Sequence, residues 1–225
     1  MCCGFKMEKL RNCFILFSLS LTIVVDWPMG TYTLVKPKTG CPPGWMEGWR
    51  RQDSEDKNNK NWIAYDHHFY GSFGRDFKFY YCTRSAHAVS SVKKWPKGNY
   101  CVLRHGGSCP SGFQYGSVFW DDEDSKNSNS YGGILPSGVY FWNTRINYCC
   151  RDDGQFGKRI NLPTSHPFYL LRFTSHCQRV KGMYVREEFA RFDDEDSGNK
   201  NSRSGKTPMA AGGRDHQLLY CYYWR

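Results

Sequence analysis

A chain of 225 residues, 40% apolar and 17% aromatic, has enough side-chain volume for a packed core, and its 22 glycines and 10 prolines exclude an architecture of long helices. The formal net charge of +10 points to anionic partners, and eleven cysteines call for an oxidising compartment unless they bind metal. No CxxC pair and no Cys/His cluster at ligand spacing occurs, which argues against a reduced zinc protein.

The first element in chain order is a leader. Lys6, Lys9 and Arg11 precede an apolar run from Cys13 to Val25, broken only by Ser18, Ser20 and Thr22. Such a run suits the core of a signal peptide and is short for a membrane span, so residues 1–25 are predicted as a signal peptide and 26–225 as one mature, secreted domain. An uncleaved anchor is the competing reading, because small residues for a cleavage site are poorly placed. No later apolar stretch is long enough to span a membrane. Losing Lys6, Glu8, Lys9 and Arg11 with the leader leaves +8 on the mature chain. Its Lys and Arg residues are dispersed among acidic loops without a basic stripe or stacking motif. The expected partners are therefore bacterial walls, other anionic glycans or lipid headgroups, and not nucleic acid.

The mature chain reads as three copies of one unit, over about 27–94, 95–161 and 162–225. Cys41, Cys109 and Cys177 are spaced 68 residues apart, each preceded at fixed distances by an aromatic (Tyr32, Tyr100, Phe168) and an aliphatic (Leu34, Val102, Leu170). Trp27-Pro28-Met29-Gly30 answers Trp95-Pro96-Lys97-Gly98. A motif DxEDxxNxN then recurs at Asp53, Asp121 and Asp193, with its asparagines at Asn59 and Asn61, Asn127 and Asn129, and Asn199 and Asn201. A late cysteine closes each copy, Cys82, Cys149 and Cys221, directly preceded by Tyr81, Tyr148 and Tyr220. The Tyr-x-Leu segments alternate as half-buried strands, and Phe77 to Cys82, Thr144 to Cys149 and Gln217 to Tyr223 are β-branched or aromatic in character. The acidic–asparagine segments between them read as polar loops. A unit of about 70 residues buries its apolar faces poorly alone. The fold class expected is all-β, a disulfide-stapled pseudo-threefold repeat, trefoil-like or prism-like.

Each copy owns one early and one late cysteine, so the economical pairing is Cys41 with Cys82, Cys109 with Cys149 and Cys177 with Cys221, leaving Cys101 with Cys150. Cys149 and Cys150 are adjacent on a strand, point to opposite faces and need different partners. Pairing across copies at equivalent positions stays open.

The run Trp95-Pro96-Lys97-Gly98-Asn99-Tyr100-Cys101, then Cys109-Pro110-Ser111-Gly112-Phe113 and Trp120-Asp121-Asp122-Glu123-Asp124, resembles the apextrin C-terminal domain, ApeC. The resemblance continues through Leu135-Pro136-Ser137-Gly138-Val139-Tyr140 and Cys149-Cys150-Arg151-Asp152-Asp153-Gly154 to Tyr220-Cys221-Tyr222-Tyr223, spanning Trp27 to Arg225. It implies a secreted invertebrate protein of innate immunity that binds microbial surfaces, above all peptidoglycan and its muramyl peptide. Some relatives of this kind are adhesive matrix proteins, and others carry a pore-forming domain upstream. Only the leader precedes Trp27 here, so no pore-forming activity is expected of these residues.

Three oxygen-rich loops suggest calcium, with Asp53, Glu55, Asp56, Asp121, Glu123, Asp124, Asp193, Glu195 and Asp196 as the candidate ligands. The competing reading is structural: Asp and Asn side chains bond turn backbones and end strands. The spacing is not that of an EF-hand, and no cofactor is required. Three equivalent acidic copies, without GxSxG or HExxH and without a spare cysteine in the body, argue against an enzyme. The adjacent His67 and His68 are expected to be exposed loop residues. Trp45, Trp49, Trp62, Trp120, Trp142 and Trp224 are candidates to stack on sugar rings and Arg50, Arg51 and Arg151 to meet anionic groups, though most of these are expected in the core. Trp45 and Trp49, beside Arg50 and Arg51, are the candidate contact surface, aromatic faces for sugar rings and cations for anionic groups.

Overall fold

The computed structural model describes residues 27–54, 58–85, 91–123, 126–155, 157–194, 198–211 and 215–225. The predicted signal peptide, Glu55, Asp56, Asp124, Glu195 and Asp196 lie outside these. Among the described residues there is no helix, only strands and loops. The first segment supplies β1 (Tyr32–Val35), β2 (Met46–Gln52), β3 (Trp62–Ile63), β4 (Gly71–Phe73) and β5 (Phe77–Arg84). The second supplies β6 (Asn99–Arg104), β7 (Gln114–Trp120), β8 (Ser130–Gly133), β9 (Gly138–Tyr140) and β10 (Thr144–Asp152). The third supplies β11 (Phe168–Arg172), β12 (Tyr184–Arg191), β13 (Ser202–Gly205), β14 (Ala210–Ala211) and β15 (Gln217–Trp224).

All strand pairs are antiparallel. Within the segments, β5 pairs with β1, β2 and β4; β10 pairs with β6, β7 and β9; and β15 pairs with β11, β12 and β14. Between segments, β6 pairs with both β1 and β11, while β8 adds to β2, β13 to β7 and β3 to β12. Each late strand is long and rich in β-branched or aromatic residues because it carries the ladder for its neighbours.

Two cores result. One gathers Tyr81, Tyr148 and Tyr220 with Phe79, Ile146, Leu218 and Trp120; the other gathers Trp27, Trp95, Tyr32, Tyr100, Phe168 and Tyr223. The strands β1, β6 and β11 lie between the two, with Leu34 facing one core and Val35 the other. This corrects the expected half-buried alternation: Thr33 is as buried as its neighbours, and its hydroxyl bonds that of Thr83 at 2.8 Å. Trp27, Trp95 and the three pre-cysteine tyrosines pack as expected.

Four disulfides staple the body: Cys41–Cys82, Cys109–Cys149, Cys177–Cys221 and Cys101–Cys150. Cys149 and Cys150 face different cores, as adjacent strand residues must. Each crosslink closes a loop of 40 to 49 residues and contributes roughly 3–4 kcal/mol in the chain-entropy picture.

Candidate functional site

The repeated acidic–asparagine loops form a clasp. The second asparagine of each motif accepts the backbone N–H of the first aspartate of a neighbouring segment: Asn129 from Asp53 at 2.6 Å, Asn201 from Asp121 at 2.7 Å and Asn61 from Asp193 at 2.7 Å. Each of those aspartates in turn accepts a backbone N–H from the asparagine loop, of Ser128 at 2.6 Å, Lys200 at 2.7 Å and Lys60 at 2.5 Å. The first asparagine of each motif accepts the amide N–H of the second at 2.8–2.9 Å, which sets the local turn. Asp53, Asp121 and Asp193 thus bond loop backbones, the use that the structural reading of the motif expects of them. Among the described residues no group of three His, Cys, Asp or Glu side chains is placed to hold a metal ion.

Next to the clasp, Asp122 and Asp194 are buried. Asp122 accepts from Gln52 at 2.6 Å, Asn129 at 2.7 Å and Thr144 at 2.5 Å. Burial pushes its carboxyl up to about 7, against the hydrogen bonds and the charge of Arg50 that favour ionisation. Burial, reinforced by the Asp122 charge, also raises Asp194.

The four residues expected as a contact surface are not brought together. Successive residues of β2 point to opposite faces. Arg50 is 3% exposed and turns inward, its Nε donating to the Tyr81 hydroxyl at 2.8 Å and its guanidinium lying 5.4 Å from the Trp120 ring centre. It is a core residue. Arg51 faces solvent, paired with Asp76. Trp49 is half-buried with Lys78 Nζ 4.0 Å above its ring, and a Cβ on Gly132 would stand 2.9 Å from its Nε1, so the indole is already covered. Trp45 packs on Trp27 and Tyr32 at 5.2 and 5.5 Å.

A different site arises where the first segment meets the third. Gly48 pairs with Tyr81 and Gly116 with Tyr148; the residue of β12 that pairs in the same way, with Tyr220, is Glu188. Backbone crowds the two glycines, since a Cβ would stand 2.2 Å from the Ile134 carbonyl oxygen at Gly48 and 2.1 Å from that of Lys206 at Gly116. At Glu188 the incoming strand β3 has two residues where β8 and β13 have four. The chain then turns at Asp66, φ +54°, and brings His68 over the carboxylate. Glu188, 0% exposed, accepts the His68 backbone N–H at 3.0 Å, bonds His68 Nδ1 at 2.6 Å and accepts the Tyr169 hydroxyl at 2.5 Å. A buried carboxylate satisfied by three groups fixes the imidazole.

His68 lies flat on Tyr222, ring centres 4.1 Å apart and 7° from parallel. Trp224 follows 5.6 Å from Tyr222, and Tyr184, 69% exposed, lies 5.7 Å from Trp224. The rings make a shelf descending from solvent to the buried Glu188, edged by Tyr65, whose carbonyl accepts from Arg186 at 2.6 Å. The expected loop histidines are thus divided: the His68 side chain is 38% exposed but locked, and burial lowers the pKa of His67. Elsewhere, Lys158, His176, Gln178, Arg179 and Glu187 are among the residues that line a cleft of about 390 Å³ between the second and third segments.

A family model described as ApeC, the C-terminal domain of apextrin, matches residues 27–223. No curated protein and no solved structure matches the chain. The match covers nearly all of the described body, including all eight paired cysteines, so the chain belongs to the ApeC family, the C-terminal domain of apextrin.

Proposed function

We propose that this is a secreted, non-catalytic recognition protein that binds bacterial cell-wall material, peptidoglycan or its muramyl peptide, through the aromatic shelf at the first–third junction. Four disulfides and ApeC membership fit an extracellular protein. The observation that carries the choice of site is the run His68, Tyr222, Trp224, Tyr184, in which the first three rings stack within 16° of parallel and the last, Tyr184, is tilted by 30° and 69% exposed. Pyranose C–H faces stack on such rings, and an imidazole held by Glu188 supplies an oriented polar group for a hydroxyl or amide. Positive charge on the mature chain favours the carboxylates of a muramyl peptide. We also infer that the three segments close a pseudo-threefold ring, supported by the cyclic order of the clasps, first to second, second to third and third to first.

Co-sedimentation of the full mature protein with insoluble peptidoglycan tests the reading. Tyr184→Ala with Trp224→Ala should lower retention about tenfold while the fold is kept. Retention on extracellular matrix but not on walls would favour an adhesive matrix protein. A calcium chelator should leave retention unchanged, because backbone amides already engage Asp53, Asp121 and Asp193; chelator-sensitive retention would restore the acidic loops as calcium ligands.

A further inference from the structure

The hairpin joining β9 to β10 carries two adjacent large apolar residues at its tip, Phe141 and Trp142, each 67% exposed. Neither belongs to either core. The tip is held from beneath by the asparagine loop of its own segment: Asn129 Nδ2 donates to the Phe141 carbonyl at 2.8 Å and Asn127 Nδ2 to the Trp142 carbonyl at 2.9 Å. The Asn143 carbonyl accepts the Phe141 amide at 3.4 Å. All three carbonyls of the tip therefore have protein donors, which removes the main cost of taking a loop out of water.

The first segment has the same device with different side chains. Asn59 and Asn61 donate to the Arg75 carbonyl at 3.0 and 2.5 Å, and the Gly74 amide bonds the Asp76 carbonyl at 3.3 Å. There the tip reads Gly74-Arg75-Asp76, where the second segment has Phe141-Trp142-Asn143. The hairpin thus forms without the aromatic pair, and folding does not account for its exposure. Tyr131, half in solvent, lies edge-on to Phe141 at 6.4 Å and beside Tyr140 at 5.8 Å, placing amphipathic rings directly beneath the apolar apex. Lys126 and Arg145, both exposed, flank the hairpin.

An apolar apex, a tyrosine layer below it, satisfied carbonyls and flanking cations match the depth profile of a bilayer interface with anionic headgroups. We propose that the Phe141–Trp142 tip inserts into the headgroup–acyl boundary of anionic phospholipid membranes. A protein that binds wall material would thereby gain a second, independent foothold on the lipid surface of the same target.

The test uses the full mature protein and large unilamellar vesicles, either of phosphatidylglycerol mixed with phosphatidylcholine or of phosphatidylcholine alone. The decisive variant, Phe141→Gly with Trp142→Arg, installs the tip that the first segment already folds with. Binding to the anionic vesicles and a blue shift of tryptophan emission are expected for the wild type. The variant should lose about tenfold or more in partitioning, as two buried aromatic side chains imply, while sedimenting with peptidoglycan as the wild type does. Phe141→Ser alone, which should reduce partitioning by a smaller factor, guards against a folding defect in the double variant. The proposal is overturned if the wild type ignores anionic vesicles, if the folded variants bind them equally well, or if the variants lose peptidoglycan while vesicle binding persists.

Discussion

Two kinds of junction hold the segments together, and their difference centres on one position. At Gly48 and Gly116 a neighbouring strand comes so close that no side chain fits. At the third junction the facing strand ends early and Glu188 fills the space, bonded to His68 and Tyr169. The clasps around the aspartates are alike in all three places. What recurs is the means of assembly; what departs from it gathers a locked imidazole, a buried carboxylate and a run of stacked rings that ends at the exposed Tyr184. A departure from a shared local pattern is where a functional or strained site is expected.

The sharpest way to break this comparison is to put a side chain where only glycine fits. Gly116→Val, or Gly48→Val, sets a Cβ against a backbone oxygen that cannot rotate away and should cost about 4 kcal/mol or abolish folding. Equilibrium urea unfolding reads this directly, and a loss under about 1 kcal/mol would show that the approach can relax. The clasp comes next. Asn129→Ala leaves the Asp53 amide without its acceptor and takes one donor from the buried Asp122 carboxyl, which keeps Thr144 and Gln52, and should cost roughly 1–3 kcal/mol. Asn201→Ala, which likewise loses a bond to the buried Asp194, should cost a similar amount, and Asn61→Ala, whose Nδ2 donates to the Arg75 carbonyl instead, less; an Asn201 loss far from that of Asn129 would contradict equivalent clasps.

Glu188→Gln sharpens the contrast at the third junction. The amide keeps its volume but gives up a charge-assisted acceptor facing His68 and Tyr169, for a loss of roughly 1–2 kcal/mol. Peptidoglycan retention should fall beyond what the stability loss explains, because the imidazole is no longer held. A further effect is one of pH. Burial lifts the Asp122 carboxyl from 3.8 to about 7, so between those values the folded state keeps a proton that the unfolded state releases. Stability is therefore greater below this window and falls as pH rises through it. Asp122→Asn should flatten that slope without removing it, because Asp194 is raised in the same direction; an unchanged slope would place the titration elsewhere.

The sequence carried the cysteine partners, the late strands and the polar character of the acidic loops, since these follow from spacing and residue type along one segment. It also carried the clasp in outline: Asp and Asn bonding turn backbones is what the motif does, though across segments rather than within them. Of the expected contact surface, Arg50 is turned inward for a plain geometric reason. Trp49, Arg50 and Arg51 are consecutive on β2, so one of them had to enter the core, and Arg50 did. Glu188 was legible in principle. Counting five residues back from Asp53, Asp121 and Asp193 gives Gly48, Gly116 and Glu188, a repeat broken by a charge. Its meaning depends on the early exit of β3 and the return of His68, which no local pattern announces.

The most direct test is a titration of the isotope-labelled mature protein with soluble muramyl dipeptide, followed by amide and aromatic chemical-shift changes. The shifts should concentrate at Tyr65, His68, Tyr184, Tyr222 and Trp224. Changes centred on Trp49 and Lys78, or none at saturating ligand, would contradict the account.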